Sequence, residues 1–189
     1  FIFNLAAQAI VSKSFKYPNY TLKNNIGINI NLLESLRNYN KKISVVMVTS
    51  DKVYENIEKI KSYKERDQLG GKDIYSASKS SSELIFNAYF QSFLKDKRNL
   101  SFGIARAGNV IGGGDWSDNR LIPDIFRSWK KRKTLKIRNP KATRPWEFVL
   151  DPLYGYLILS VKLLNNRKIN GEAFNFSSKE TNNLSVLNM

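Results

Sequence analysis

Short apolar runs of strand length alternate along this chain with longer stretches of helical period, and that alternation restricts it to βαβ units and a parallel sheet. Phe1–Leu5 reads as a buried strand, Thr21–Tyr39 as a helix with Leu22, Ile26, Ile30, Leu33 and Leu36 at three- and four-residue spacing, and Ile43–Thr49 as the next strand. A helix over Tyr75–Leu94, with Leu84, Ile85, Ala88 and Tyr89 on its apolar face, and a strand over Ser101–Arg106 follow. After Arg106 the texture changes. Gly112-Gly113-Gly114-Asp115-Trp116 reads as a flexible turn, Leu121–Trp129 as a helix and Leu135–Ile137 as a short strand. Asp151 as N-cap and Pro152 as first helical residue open a helix running through Leu153–Leu164, and Ala173–Ser177 returns to the sheet. Trp116, Trp129 and Trp146 read as packing residues.

Two segments carry chemistry. Thr49-Ser50-Asp51-Lys52 closes an apolar run, and Tyr75-Ser76-Ala77-Ser78-Lys79 opens the next helix. On a helix Tyr75 and Lys79 lie one turn apart on one face, so the ammonium favours the ionised phenol. The chain has no histidine and no cysteine, which excludes a Ser-His-Asp triad, a thiolate nucleophile, a disulfide and a Cys/His zinc site. Proton transfer therefore falls to Tyr, Lys, Asp or Glu. An unperturbed tyrosine titrates near pH 10, roughly, and needs nearby positive charge to act as a base at neutrality. Asp51 and Lys52 fall just past the carboxyl end of a strand, where open parallel sheets place ligands. Taken alone, a Tyr/Lys pair is more often helix surface, and an aspartate after a strand is by default a turn residue. Their occurrence in one βα unit favours catalysis.

The net charge of +15 invites a nucleic-acid reading, but the lysines are spread over every segment. The one dense run, Lys130-Lys131-Arg132-Lys133, falls at an expected helix end, where cations complement the macrodipole. The charge instead favours an anionic ligand such as a nucleotide. With 42% hydrophobic residues the chain has material for a packed core, and no stretch approaches the ~18 apolar residues a membrane span requires. It opens at Phe1 inside an apolar stretch, without an initiating methionine, which reads as a fragment; the cytoplasm is the default location.

Leu5-Ala6-Ala7-Gln8, the Tyr75/Lys79 pair and Arg106-Ala107-Gly108-Asn109-Val110 resemble the extended short-chain dehydrogenase/reductase family. Thr49–Asn56, Gly108–Trp116 and Arg138–Trp146 resemble, more narrowly, its CDP-glucose 4,6-dehydratase branch, in order across nearly the whole chain. The resemblance implies an α/β fold, a Rossmann-type doubly wound parallel sheet with a smaller substrate-binding lobe. Residues 1–111 would be the C-terminal part of the NAD-binding domain and 112–189 the start of the nucleotide-sugar lobe, with a segment of about 147–178 returning to the sheet. It implies NAD as cofactor, a nucleotide sugar such as CDP-glucose as substrate, and a homodimer formed through the Tyr75 helix.

The implied roles are specific. Tyr75, with Lys79, would deprotonate the sugar 4-hydroxyl, Ser50 would hydrogen-bond that oxygen, and Asp51 would protonate the departing 6-hydroxyl. Lys52, where related dehydratases carry glutamate, would either take the C5 proton or stabilise the enolate. Ala6, Ala7 and Gln8 would line the cofactor with Tyr75 and Lys79; Asn109, Arg120 and Arg144 would hold the sugar and its diphosphate. Asn4 stands where the family has histidine. The glycine-rich pyrophosphate turn and the acidic ribose partner are expected upstream of Phe1, and the chain alone is expected to be inactive. A 4-epimerase or another dehydratase on the same scaffold is the second enzymatic reading. A non-catalytic dinucleotide sensor is the third, disfavoured because Tyr75 and Lys79 are both retained.

Overall fold

The computed structural model describes residues 1–57, 62–177 and 184–188. In chain order its elements are β1 (Ile2–Asn4), α1 (Val11–Lys16), α2 (Pro18–Arg37), β2 (Ile43–Val48), α3 (Ile74–Tyr89), β3 (Leu100–Ala107), β4 (Asn109–Ile111), α4 (Leu121–Lys130), β5 (Thr143–Arg144), β6 (Trp146–Phe148), α5 (Leu150–Asn165), β7 (Ala173–Phe176) and β8 (Leu184–Ser185). They form two compact units, one of residues 1–107 and 154–176 and one of residues 108–153 and 177–189.

The first unit is built on a parallel sheet in the order β1-β2-β3-β7. β2, Ile-Ser-Val-Val-Met-Val, and β3, Leu-Ser-Phe-Gly-Ile-Ala-Arg-Ala, are buried on both faces, which near-continuous apolar runs in parallel sheets require. Side chains alternate between two cores. Val45, Met47, Phe102 and Ile104 meet Leu33 and Leu36 of α2 and Phe86 of α3, whereas Val46, Ala105 and Ala107 meet Tyr156, Leu159 and Leu163 of α5. The sheet thus lies between α2 and α3 on one face and α5 on the other. Rings of Phe86, Phe90 and Phe102 pack with centroids 5.7 to 6.3 Å apart.

Several expectations change. The Tyr75 helix starts at Ile74 and is regular only to Tyr89, with a π turn over Phe90–Leu94. Its buried side is not the one carrying Leu84, which is 57% exposed; it consists of Tyr75, Ser76, Ser78, Lys79, Ser80, Ser82, Glu83 and Phe86. On α2, likewise, Thr21 and Asn25 are buried while Leu22, Ile26 and Ile30 are half-buried. Toward the start of both helices they meet through short polar side chains hydrogen-bonded within the interface, so hydrophobic periodicity misses that end, whereas Leu33 and Leu36 are buried as their spacing predicts.

In the second unit, β4 pairs with β6 in parallel and β5 with β8 in antiparallel. The strand expected over Leu135–Ile137 is absent; those residues are irregular. Asp151 is not the N-cap. The Val149 N–H pairs with the Ile111 carbonyl and the Val149 carbonyl accepts from Leu153, so the helix begins at Leu150, with Asp151 and Pro152 inside its first turn. No N–H is needed from Pro152 there. Trp116 and Trp129 are 67% and 77% exposed rather than packed. The Lys130–Lys133 run does cap α4, which ends at Lys130. No helix among the described residues is long and apolar enough to cross a membrane.

Candidate active site

β2 ends at Val48, and the chain leaves its carboxyl end through Thr49 and Ser50 into a single 3-10 turn over Asp51–Val53. Ser50 caps that turn by accepting from the Lys52 N–H at 3.3 Å. Its hydroxyl donates to Asp51 Oδ1 at 2.8 Å, and Lys52 Nζ reaches the same oxygen at 3.4 Å. Ser50, Asp51 and Lys52 are therefore one hydrogen-bonded group. Both donors fall on Oδ1.

The turn is fastened to α3. The Ser80 hydroxyl lies 2.8 Å from the Val53 carbonyl and 3.1 Å from that of Gly70, and the Gly70 N–H donates to Val53 O at 2.8 Å. Gly71 passes so close to the first turn of α3 that a Cβ would sit 2.4 Å from the Ala77 nitrogen. Asp73 caps the helix, accepting from the Ser76 N–H at 3.0 Å and from its hydroxyl at 2.6 Å. That cap fixes where Tyr75 leaves the backbone.

Tyr75 and Lys79 are both 7% exposed, on one face of α3. Burial pulls the Lys79 ammonium down to about 8, against the opposing pull of Glu83. The helix register at this pair is held from α2. Asn25 Nδ2 donates to Ser78 Oγ at 2.9 Å, and Ser78 Oγ donates to the Tyr75 carbonyl at 2.7 Å. Asn25 also brackets Gln8, accepting from its N–H at 2.7 Å and donating to its carbonyl at 3.1 Å. The Gln8 side chain is buried and engaged with Thr21 and with the Ile10 backbone. Ala6 is exposed and Ala7 half-buried beyond the end of β1. Asn4 donates to Asn29, a packing role.

Sequence reasoning passed over Gln8–Asn25–Ser78, the Asp73 cap and a buried pair formed by Glu83 and Arg106. Glu83 stands four residues after Lys79 and eight after Tyr75, a spacing that places all three on one helix face and was the available signal.

Of the residues expected to hold the diphosphate and sugar, all three lie in the second unit. Asn109 opens β4, its N–H on the Pro145 carbonyl at 3.2 Å. Arg120 precedes α4 and pairs with Asp115 at 3.3 Å; Arg144 forms β5 and donates to the Thr143 carbonyl at 2.9 Å. Glu147 of β6 is buried, and burial, then the charge of Asp151, raises its pKa.

Residues 1–175 match the NAD dependent epimerase/dehydratase family. The chain belongs to that family. Within it, the chain is 39% identical over 183 residues to the CDP-glucose 4,6-dehydratase of Salmonella typhimurium, an alignment that takes in 95% of this chain and 51% of that enzyme. The fold is similar to that of dTDP-glucose 4,6-dehydratase from Streptomyces venezuelae, with TM-score 0.81 and 24% identity over 99% of this chain and 53% of the other. It is equally similar to that of UDP-glucuronic acid 4-epimerase from Bacillus cereus, with TM-score 0.82 and 21% identity over 98% and 55%. The chain thus spans about half the length of the family members it matches.

Proposed function

We propose that this chain belongs to an enzyme that converts CDP-glucose to CDP-4-keto-6-deoxyglucose with NAD. The observation that carries the reading is the Ser50-Asp51-Lys52 group, held at the carboxyl end of β2 in the same βα unit as Tyr75 and Lys79. The 39% identity to a CDP-glucose 4,6-dehydratase supports it.

The residues present fit the cofactor. Leu5 and Ala6, exposed past the end of β1, offer apolar surface for a flat ring, and the Lys79 ammonium offers donors for ribose hydroxyls. Ala6, Ala7, Gln8, Tyr75 and Lys79 would hold NAD. When bound, NAD accepts hydride from sugar C4 and returns it to C6, so the reaction carries no net redox change. Tyr75 takes the proton of the 4-hydroxyl, with Ser50 hydrogen-bonded to that oxygen. The resulting ketone acidifies C5. Asp51 protonates the 6-hydroxyl, which leaves as water, while Lys52 takes the C5 proton or stabilises the enolate, and C5 takes a proton back from solvent once C6 is reduced. Asn109 holds the sugar, and Arg120 and Arg144 bind the diphosphate through planar, permanently charged forks. Two copies would associate through the exposed side of α3, where Leu84 is 57% exposed.

The test incubates the whole protein with NAD and, in turn, CDP-, dTDP-, GDP- and UDP-hexoses, following loss of one water by mass spectrometry. Loss chiefly from CDP-glucose is expected. Loss from another donor moves the substrate assignment, and no loss from any donor despite bound NAD overturns the dehydratase in favour of an epimerase or a sensor.

A further inference from the structure

Inside the first unit a charged cluster lies directly behind Lys79. Arg106 on β3 and Glu83 on α3 form an ion pair with side chains 4% and 0% exposed. Arg106 Nε lies 3.0 and 3.1 Å from the two Glu83 carboxylate oxygens, and its Nη2 donates to Oε2. Its Nη1 donates to Tyr54 Oη and to the Glu65 carbonyl, both at 2.9 Å. Tyr54 in turn donates to Asn175 of β7 at 2.5 Å. A buried ion pair of this kind adds little net stability compared with apolar residues of equal volume, so its retention calls for another reason.

The reason is in what else Glu83 touches. The Thr49 hydroxyl donates to Glu83 Oε1 at 2.5 Å. Thr49 is the residue immediately before Ser50-Asp51-Lys52, and its N–H is already on the Ala105 carbonyl of β3 at 2.9 Å. Arg106 follows Ala105. One carboxylate therefore ties the strand end that carries the acid to the helix that carries the base, with Arg106 supplying the countercharge from β3, the neighbouring strand of the sheet. We propose that Glu83 is a positioning residue: through Thr49 it fixes the Asp51 turn against α3, and through its charge it keeps the buried Lys79 in its ammonium form beside Tyr75. The proposal rests on the reading of Tyr75 and Lys79 as the proton-transfer pair. Its two arms separate: the hydroxyl of Thr49 carries position, and the charge of Glu83 carries electrostatics.

Both arms can be read without substrate. In the whole protein with 13Cε-labelled lysine, assigned by Lys79→Arg, Lys79 is expected to titrate near 8, and Glu83→Gln should move that midpoint down. Hydrogen–deuterium exchange over residues 49–54 should quicken in Thr49→Val and return to the parent rate in Thr49→Ser. Thr49→Val should leave the Lys79 midpoint in place. With substrate, Glu83→Gln should shift the alkaline limb of the kcat profile down with Lys79, and Thr49→Val should lower kcat by roughly tenfold with KM and pH profile kept. Should Glu83→Gln fail to fold, Glu83→Leu with Arg106→Met removes the pair while preserving packing, and a smaller fall in the Lys79 midpoint is expected, because loss of the Arg106 cation offsets part of the loss of the carboxylate.

A folded Glu83 variant whose Lys79 midpoint does not move overturns the electrostatic arm, and unchanged exchange in Thr49→Val overturns the positional one. If the parent protein dehydrates none of the donors, the functional reading fails while the titration and exchange still decide the role of Glu83.

Discussion

The two ends of α3 solve the same packing problem with opposite chemistry. At its carboxyl end Phe86, Phe90 and Leu94 are buried in an aromatic and aliphatic core shared with α2, β2 and β3. At its amino end the buried side is Ser76, Ser78, Lys79, Ser80, Ser82 and Glu83, of which Ser78 and Ser82 meet Asn25 and Asn29 of α2 while Ser80 and Glu83 meet the Val53 carbonyl and Thr49 at the end of β2. Apolar packing holds the helix in the molecule but is non-directional. The polar end adds little net energy per contact, yet each hydrogen bond specifies an angle and a register, which is what the proton transfer proposed for Tyr75 would require. Stability sits at one end and precision at the other.

That contrast makes graded predictions. Phe86→Ala should cost about 3–5 kcal/mol in urea unfolding while leaving kcat per folded molecule unchanged. A loss of kcat in the folded fraction would show that the two ends are not separable. Lys79→Met should do the reverse. The Lys79 pKa is depressed on folding, so its charge opposes folding below about pH 8, and the penalty is relieved as pH rises from there towards the unfolded value of 10.5. Removing the charge should raise stability at pH 7 by about 3 kcal/mol and cut turnover by roughly 10²- to 10⁴-fold. In the parent protein stability should accordingly climb between pH 8 and 10.5 from this group, while activity that depends on the ammonium declines.

Smaller changes probe the polar end bond by bond. Asn25→Leu leaves the Gln8 backbone N–H and carbonyl without their partner and removes the donor to the Ser78 hydroxyl, and should cost about 2–3 kcal/mol together with a weakened affinity for NAD, measured by isothermal titration. Ser82→Ala removes one acceptor from Asn29 and one donor to the Ser78 carbonyl, and should cost about 1 kcal/mol with kcat retained. Equal losses from these two substitutions would mean that the interface acts as a diffuse polar layer rather than as a register device.

The same contrast explains what was legible in the sequence. β2 and β3 are dense in Val, Ile, Met and Phe, and a parallel sheet needs that on both faces, so their positions and the class of fold follow from composition alone. The Asp51-Lys52 and Tyr75/Lys79 segments stood out through their spacing and their place after a strand and at a helix start. The packing side of α3 did not, because serine hydroxyls bonded to carbonyls one turn back fill a close helix contact without leaving a hydrophobic stripe. Of the apolar face expected there, Leu84 and Ala88 point outward and only Ile85 and Tyr89 pack on the core. In the second unit, strands of two and three residues carry no period to detect, and the α5 start moved because Val149 is fixed by Ile111, a contact remote in sequence.

The most direct test of the account is the product formed from CDP-glucose by the whole protein with NAD in deuterium oxide. Loss of one water together with gain of one deuterium at C5 is predicted, because the C5 proton leaves before C6 accepts hydride and C5 is then reprotonated from solvent. A product of unchanged mass with C4 inverted and no deuterium would contradict the account, and would make Tyr75 the base of an epimerase in which Asp51 and Lys52 take no part.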